Sequence, residues 1–200
     1  MVLVPMGTPG FEVVRNITVM HHEEPGGHCE LVFRNVRVPV TNLLGEEGSG
    51  FALAQARLGP GRIHHCMRSI GQAELALQLM RERAQERRTF GRYLHEYSTV
   101  GEWIARSRCE IDQARLLVLK AAWMIDTLGA KAARNEIAMI KVVIPQMQLT
   151  VIDRAMQVFG GAGYLRGAKV ERIYRETKVM SIGGGSVEIM KDLAARQMGF

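Results

Sequence analysis

Two hundred residues is the span of one domain and an appendage, with enough chain to bury a substantial core. Apolar residues make up 47% and charged residues 23%, close to the averages of globular chains, which excludes wholesale disorder and fibrous repeats. The 26 lysines and arginines against 20 carboxylates leave a net charge of +6, which favours anionic partners without choosing between a phosphorylated small molecule, nucleic acid and an acidic protein surface. No run approaches the ~18 uncharged apolar residues of a bilayer span, and MVLVPMGTPG carries neither a basic n-region nor a small-residue cleavage site. A cytoplasmic protein without a membrane span is the expectation. Cys29, Cys66 and Cys109 are odd in number and far apart, which fits neither a disulfide framework nor a paired Cys-x-x-Cys site and predicts reduced thiols.

The first forty-odd residues read as β structure. Val2 to Val4, Glu12 to Ile17 and Cys29 to Val38 are short and rich in β-branched residues. Turn material separates them at Gly7-Thr8-Pro9-Gly10 and Pro25-Gly26-Gly27, which predicts three strands. Asn35 interrupts the last run, as in a bent or two-piece strand. Three strands with open edges are marginal alone. With the first run starting at residue 1, the expectation is the C-terminal part of a longer protein.

From Ser49 onward the periodicity is helical. Phe51 to Leu58 is a short amphipathic piece that Gly59-Pro60-Gly61 should stop, and a long helix is predicted from about Arg62 to Arg88. The next, about Ser98 to Leu128, places Val100, Ile104, Ile111, Ala114, Val118, Ala121 and Ile125 at spacings of three, four and seven, with Gly129 closing it. A third, about Ala133 to Phe159, carries Ile137, Ile140, Ile144, Met147, Val151 and Ala155 on one face, with Pro145 expected to kink it. Shorter helices are predicted over about Ala168 to Met180 and Ser186 to Met198. The sum is mainly α: an antiparallel helix bundle, of four long helices or so, preceded by a short β segment.

Several motifs fail on context. Gly160-Gly161-Ala162-Gly163-Tyr164 follows a helix instead of a strand and lacks the third glycine of a dinucleotide fingerprint. His21, His22, His28 and Cys29 have no second Cys/His pair, so no metal is expected. His64 and His65 are adjacent on a helix and point about 100° apart. No P-loop or G-x-S-x-G pattern occurs. Three stretches carry more: Glu86-Arg87-Arg88-Thr89-Phe90-Gly91 after one long helix, Gln157-Val158-Phe159-Gly160-Gly161 after another, and Ile182-Gly183-Gly184-Gly185-Ser186-Val187-Glu188. The last reads as a loop with Ser186 as helix N-cap, its backbone N–H groups open to a phosphate or flavin.

In this order, and with Phe33-Arg34-Asn35-Val36-Arg37-Val38-Pro39, Asn42-Leu43-Leu44-Gly45-Glu46 and Gly50-Phe51 ahead of them, these stretches resemble the C-terminal half of the acyl-CoA dehydrogenase family. Leu58-Gly59-Pro60-Gly61-Arg62-Ile63-His64-His65-Cys66-Met67-Arg68 resembles the branch of family members 10 and 11. The resemblance implies residues 1–45 as a remnant of the middle β-domain and 46–200 as the C-terminal helical-bundle domain. It implies FAD as cofactor, α,β-desaturation of an acyl-CoA substrate, a role in fatty acid metabolism, and a homodimer or homotetramer. Arg87, Thr89, Phe90, Gln157 and Gly161 would contact the adenine and pyrophosphate part of a neighbouring subunit's FAD, Ser186 and Glu188 would touch the flavin, and Arg62 would support catalysis beside the thioester. The two places where the family carries its catalytic glutamate correspond to Gly184 and Gly61, and neither can accept a proton. Glu188 is then the candidate base. The alternatives are a base from an unexpected place, a different flavin reaction, a catalytically deficient partner subunit paired with an active one, or a truncated oligomerisation or binding module, and a missing N-terminal region or a partner subunit would complete the flavin site. A nucleic-acid-binding relative is disfavoured by the 6% aromatic content and by arginines spread over several helices.

Overall fold

The computed structural model describes residues 1–20 and 27–200. His21, His22 and most of the turn expected at Pro25-Gly26-Gly27 lie outside the described residues. The chain divides into two compact units, Met1–Arg57 and Leu58–Phe200.

The first unit is built on a two-stranded antiparallel sheet, β1 (Phe11–Asn16) with β2 (Cys29–Phe33). Phe11 faces Phe33 across the pair with ring centroids 5.0 Å apart. The third expected strand is absent: Val2 makes a single bridge to Leu43, and Pro5, which has no N–H to donate, follows at once. Asn35, at φ 48°, ends β2 instead of bending it, because a left-handed residue turns the chain out of the ladder and asparagine tolerates that conformation. The irregularity sits on β1, between Val13 and Arg15. Gly10, at φ +87°, is forced: a Cβ there would fall 2.1 Å from the Arg34 carbonyl oxygen, whose own N–H donates to the Gly10 carbonyl at 2.8 Å.

The second unit is helical. Helix α1 (Gly50–Glu86) has Pro60 inside it, so the stop expected at Gly59-Pro60-Gly61 does not occur. Proline removes one helical N–H and crowds the preceding turn, but its two flanking glycines bring no side chains to that turn, and tertiary burial of Cys66, Ile70, Ala73, Leu77, Met80 and Ala84 sustains the helix beyond it. A small hairpin follows, β3 (Arg88–Thr89) with β4 (Arg92–Tyr93). Then come α2 (Ser98–Leu128), closed by Gly129 at φ 85°, and α3 (Arg134–Phe159) with Pro145 inside it. The one-turn α4 (Gly161–Tyr164), α5 (Lys169–Thr177), a 3-10 turn over Lys178–Ser181, and α6 (Val187–Gln197) complete the unit. Gly160 to Tyr164 thus joins helix to helix, which rules out a dinucleotide fold at that motif. No helix among the described residues is long and apolar enough to cross a membrane.

Helix α3 is the centre of this unit. Ile137, Ile140, Ile144, Met147, Val151, Ile152, Ala155 and Val158 are all buried, and α2, α5 and α6 pack on it. Several of its polar side chains reach neighbouring helices, while the Gln148 amide oxygen has no partner among the described residues. The Gln148 amide donates to Gln72 on α1 and, at 3.1 Å, to Thr177 Oγ1 on α5, whose hydroxyl donates to the Ile173 carbonyl at 2.7 Å. Arg154 forms a two-pronged pair with Glu110 on α2 at 2.6 and 2.9 Å. On the α1–α2 face, Glu74 accepts two bonds of 2.8 Å from Arg108 and a further one from Arg115.

Ile144 is completely buried in this core, so Ile144→Ala should lower unfolding stability by about 2–5 kcal/mol, read by denaturant titration. The hydrogen bonds from Arg108, reinforced by the charges of Arg108 and Arg115, hold the Glu74 carboxyl below the usual carboxylate range. A carboxyl depressed in the folded state stabilises fully above its unfolded value and loses that contribution as pH falls through the folded one. Wild type should therefore exceed Glu74→Gln in unfolding midpoint above about pH 5, and the gap should close on further acidification.

Candidate functional site

The loop between the 3-10 turn and α6 is where three helices converge. Gly184 at φ +75° and Gly185 at φ +111° occupy backbone conformations open to glycine and strained for other residues. Space adds to the constraint at Gly185, where a Cβ would lie 2.8 Å from Met190 Cε and 3.3 Å from Arg62 Nη2. From α1, Arg62 Nε donates to the Gly184 carbonyl at 2.7 Å. From α3, the completely buried Lys141 donates through Nζ to the Met180 carbonyl. Two cations on two helices thus hold the two ends of one loop.

Burial pushes the Lys141 ammonium below its ordinary range, and the nearby Arg62 charge pushes the same way. Burial also lowers Arg62. Cys66, packed in the same region, is raised to about 12, chiefly by burial, so it stays a neutral thiol at physiological pH. Ser186 caps α6, its hydroxyl accepting the Ile189 N–H at 3.4 Å. Glu188 is exposed in the first turn, and a hydrogen bond from its own backbone N–H, followed by one from the Ser186 side chain, keeps its carboxyl below the usual range. Gly61 lies one residue before Arg62 on α1, with no group within 4 Å of where its Cβ would be.

The remaining predicted residues lie elsewhere. Arg87, Thr89 and Phe90 belong to the hairpin, whose central residues Phe90 and Gly91 have φ of 50° and 80°. Positive values at both make a turn whose twist matches a two-residue hairpin. Arg88 stacks on Tyr93 and Arg92 on Tyr97, at 4.5 and 4.7 Å from the ring centroids, and Tyr97 donates to the Thr89 carbonyl at 2.8 Å. These contacts brace a tip on which Phe90 is 99% exposed. Gln157 and Gly161 are exposed at the end of α3 and the start of α4. Arg83, near the end of α1, lies over the Phe159 ring at 5.6 Å, so the hairpin and the α3–α4 turn share one end of the bundle.

The structure therefore sorts the predicted residues into two groups. Arg62 and Gly184 gather beside Lys141, with Ser186 and Glu188 following at the start of α6, and Arg87, Thr89, Phe90, Gln157 and Gly161 lie toward the far end of α3. Lys141 and Gln157 are sixteen residues apart on that helix, about 24 Å at 1.5 Å per residue. Sequence reasoning missed Lys141, although a single lysine within Ile137-Ala138-Met139-Ile140-Lys141-Val142-Val143-Ile144 is the trace that a buried cation leaves. It also took Arg87 and Arg88 as a helix end. The left-handed pair Phe90-Gly91 makes the hairpin, and phenylalanine there is not a residue that turn statistics favour.

At the first central position of such a turn asparagine is preferred. Phe90→Asn should therefore unfold at the same or a higher temperature than wild type, in a calorimetric scan. A lower midpoint would mean that the ring supports the fold and is not free for a ligand.

Comparison with known proteins places this geometry. The family model described as acyl-CoA dehydrogenase, C-terminal domain, matches residues 48–199. A Mycobacterium tuberculosis protein named for acyl-CoA dehydrogenase activity, FadE2, is 56% identical over 189 residues, which is 94% of this chain and 46% of that protein. Acyl-CoA dehydrogenase family member 11 of Rattus norvegicus is 50% identical over 191 residues, 94% of this chain and 24% of the relative. A Mycobacterium abscessus protein solved as an acyl-CoA dehydrogenase superposes with a TM-score of 0.94 at 42% identity, covering 99% of this chain and 49% of its own. A solved FAD complex of PigA superposes at 0.87 with 25% identity, covering 99% and 51%. The chain spans about half the length, or less, of the relatives it matches. A family model matching most of the chain, and relatives at least half identical across nearly all of it, show that the chain belongs to the acyl-CoA dehydrogenase family, as its C-terminal helical domain.

Proposed function

We propose that this chain supplies the C-terminal part of an FAD-dependent acyl-CoA dehydrogenase, working on an acyl-CoA thioester as a homodimer or homotetramer. The observation that carries the reading is the Gly184–Ser186 loop, with its backbone pinned by Arg62 and leading into the N-terminus of α6, in a chain matched over 48–199 by the family's C-terminal model. The residues present fit a flavin dinucleotide. The eleven-residue α6 turns the positive end of its dipole toward an anionic or electron-rich edge. Gly160 and Gly161 have open space beside their Cα atoms for close backbone approach. Phe90 and Arg87 present an exposed ring and guanidinium three residues apart in sequence, suited to an adenine and a phosphate.

When bound, FAD supplies the hydride acceptor for desaturation. The chain's own residues bind and orient. Ser186 and the backbone at the start of α6 would hold the ring, Arg62 would fix the loop beside the thioester, and Arg87, Thr89, Phe90, Gln157 and Gly161 would reach the adenine and pyrophosphate of a neighbouring subunit's cofactor. The separation of about 24 Å between the two groups along α3 supports this division between two cofactors. Proton abstraction is the weak step. Gly184 and Gly61 have no side chain, and Glu188 is exposed and held in its ionised form by hydrogen bonds, which makes it a poor proton acceptor. That observation favours a second reading, in which this chain is a catalytically deficient partner subunit on the same scaffold.

A visible absorption spectrum of the purified chain, before and after incubation with FAD and gel filtration at moderate salt, tests both. Retained flavin, with acyl-CoA bleaching it, supports the dehydrogenase reading. Retained flavin without bleaching supports the deficient subunit, and no flavin in a clean dimer confines the chain to binding or assembly. Where flavin is retained, Phe90→Ala and Gln157→Ala should each weaken it several-fold, since a stacked ring or a neutral hydrogen bond contributes about 0.5–1.5 kcal/mol.

A further inference from the structure

Arg62 and Lys141 are two positive charges brought to one loop, and neither has a carboxylate partner. Lys141 is completely buried and donates a hydrogen bond to the Met180 carbonyl. Arg62 donates one from Nε to the Gly184 carbonyl. Each is lowered by burial, and among the described residues the titratable neighbours acting on Lys141 are the Cys66 thiol, neutral at physiological pH, and Arg62 itself, which repels it. Among the described residues no aspartate or glutamate forms an ion pair with either. Like charges desolvated together without a counter-ion are costly, and folded chains ordinarily pair such groups or leave them wet.

The space for a counter-ion is at Gly184. Its missing Cβ would sit 3.8 Å from Lys141 Cε, at ordinary contact distance with nothing nearer. The place of a Cβ is therefore open directly against the lysine stem. Arg62 has used Nε on the loop carbonyl, and its Nη2 lies 3.3 Å from where a Gly185 Cβ would be, facing the same two glycines. The loop residues Gly184 and Gly185 are only half-buried, so the place can be reached from solvent. We propose that Arg62 and Lys141 form an anion site at Gly184 whose ligand is a carboxylate group, carried by a small organic acid and seated where a side chain on residue 184 would be.

The chemistry selects a carboxylate over other anions. A planar two-oxygen group matches the guanidinium fork and can accept from an ammonium at the same time. It needs no more room than the side chain that glycine lacks. A phosphate is larger and more highly charged, and it would crowd the Met180 and Gly184 carbonyl oxygens that already face these cations. The proposal requires no flavin, so it stands or falls apart from the function proposed above.

The test is thermal unfolding of the purified chain at fixed ionic strength in sodium acetate, sodium chloride and sodium phosphate. Acetate should raise the midpoint along a saturating curve, with chloride and phosphate showing no such saturation. Lys141→Met removes the ammonium and keeps an unbranched stem. It should raise the half-saturating acetate concentration about tenfold or more, the worth of a hydrogen bond to a charged group. Gly184→Asp places a carboxylate in the site, at a left-handed position that aspartate tolerates better than most residues, and should make the midpoint indifferent to acetate. Acetate behaving like chloride in the wild type would overturn the proposal, as would phosphate saturating at equal or lower concentration. An acetate response that persists unchanged in both variants would equally overturn it, since it would then be a general salting effect. If Lys141→Met does not fold, Gly184→Asp alone decides.

Discussion

The polar groups that α3 turns inward are the constraint from which the rest of the second unit follows. A helix with one wet face can turn its polar residues outward. On α3 the exposed positions Val143, Gln146, Asp153 and Gln157 form one stripe, and the buried part carries Lys141 and Gln148 as well as its isoleucines and valines. Each buried polar group must find a partner inside or be left at a cost of about 1–3 kcal/mol. Gln148 finds Gln72 and Thr177, which ties α1 and α5 to the central helix. Lys141 finds the Met180 carbonyl, which ties down the chain leading into the glycine loop. The loop is held because the core beneath it has a charge to satisfy.

That coupling gives the loop a defined shape despite its composition. Three consecutive glycines, 183 to 185, would ordinarily sample many conformations and lose more entropy on ordering than any other residue type. Here two of them take positive φ, the Gly184 carbonyl is fixed by Arg62, and Ser186 starts α6 immediately afterwards. Pinning both flanks from α1 and α3 removes most of the freedom that the glycines bring, while leaving no side chains over the surface that the backbone presents. A ligand-facing loop gains close approach this way without becoming a floppy one.

Most of the architecture was legible in the sequence, for a physical reason that also explains the failures. Helices α2 and α3 show apolar residues at spacings of three and four over more than twenty positions, and a buried face imposes that period directly. Local chemistry was less informative wherever tertiary contacts outweigh it. Pro60 between two glycines looks like a break, yet the helix continues because the residues beyond it are buried. Val2 to Val4 has β-branched composition but makes only one bridge, since a strand needs a partner and composition does not supply one. The hairpin at Arg88 to Tyr93 was hidden because Phe90-Gly91 is not a turn sequence that statistics recognise. Lys141 shows in the sequence only as a lone lysine in an apolar run, because its partner is a carbonyl thirty-nine residues away, a distance that no local pattern spans.

The positions of charge at the loop also bear on what this chain can do alone. A proton acceptor beside two cations would be held ionised by them, and a base of that kind works only if its carboxylate is desolvated enough to want the proton back. Glu188 is held ionised by hydrogen bonds and remains in water, so it has the first property without the second. Gly184 is half-buried beside the cations and has no carboxylate. The loop is thus a site with its electrostatics assembled and its acidic group absent, and a carboxylate that enters it from elsewhere would meet both the charge and the partial shelter that Glu188 lacks.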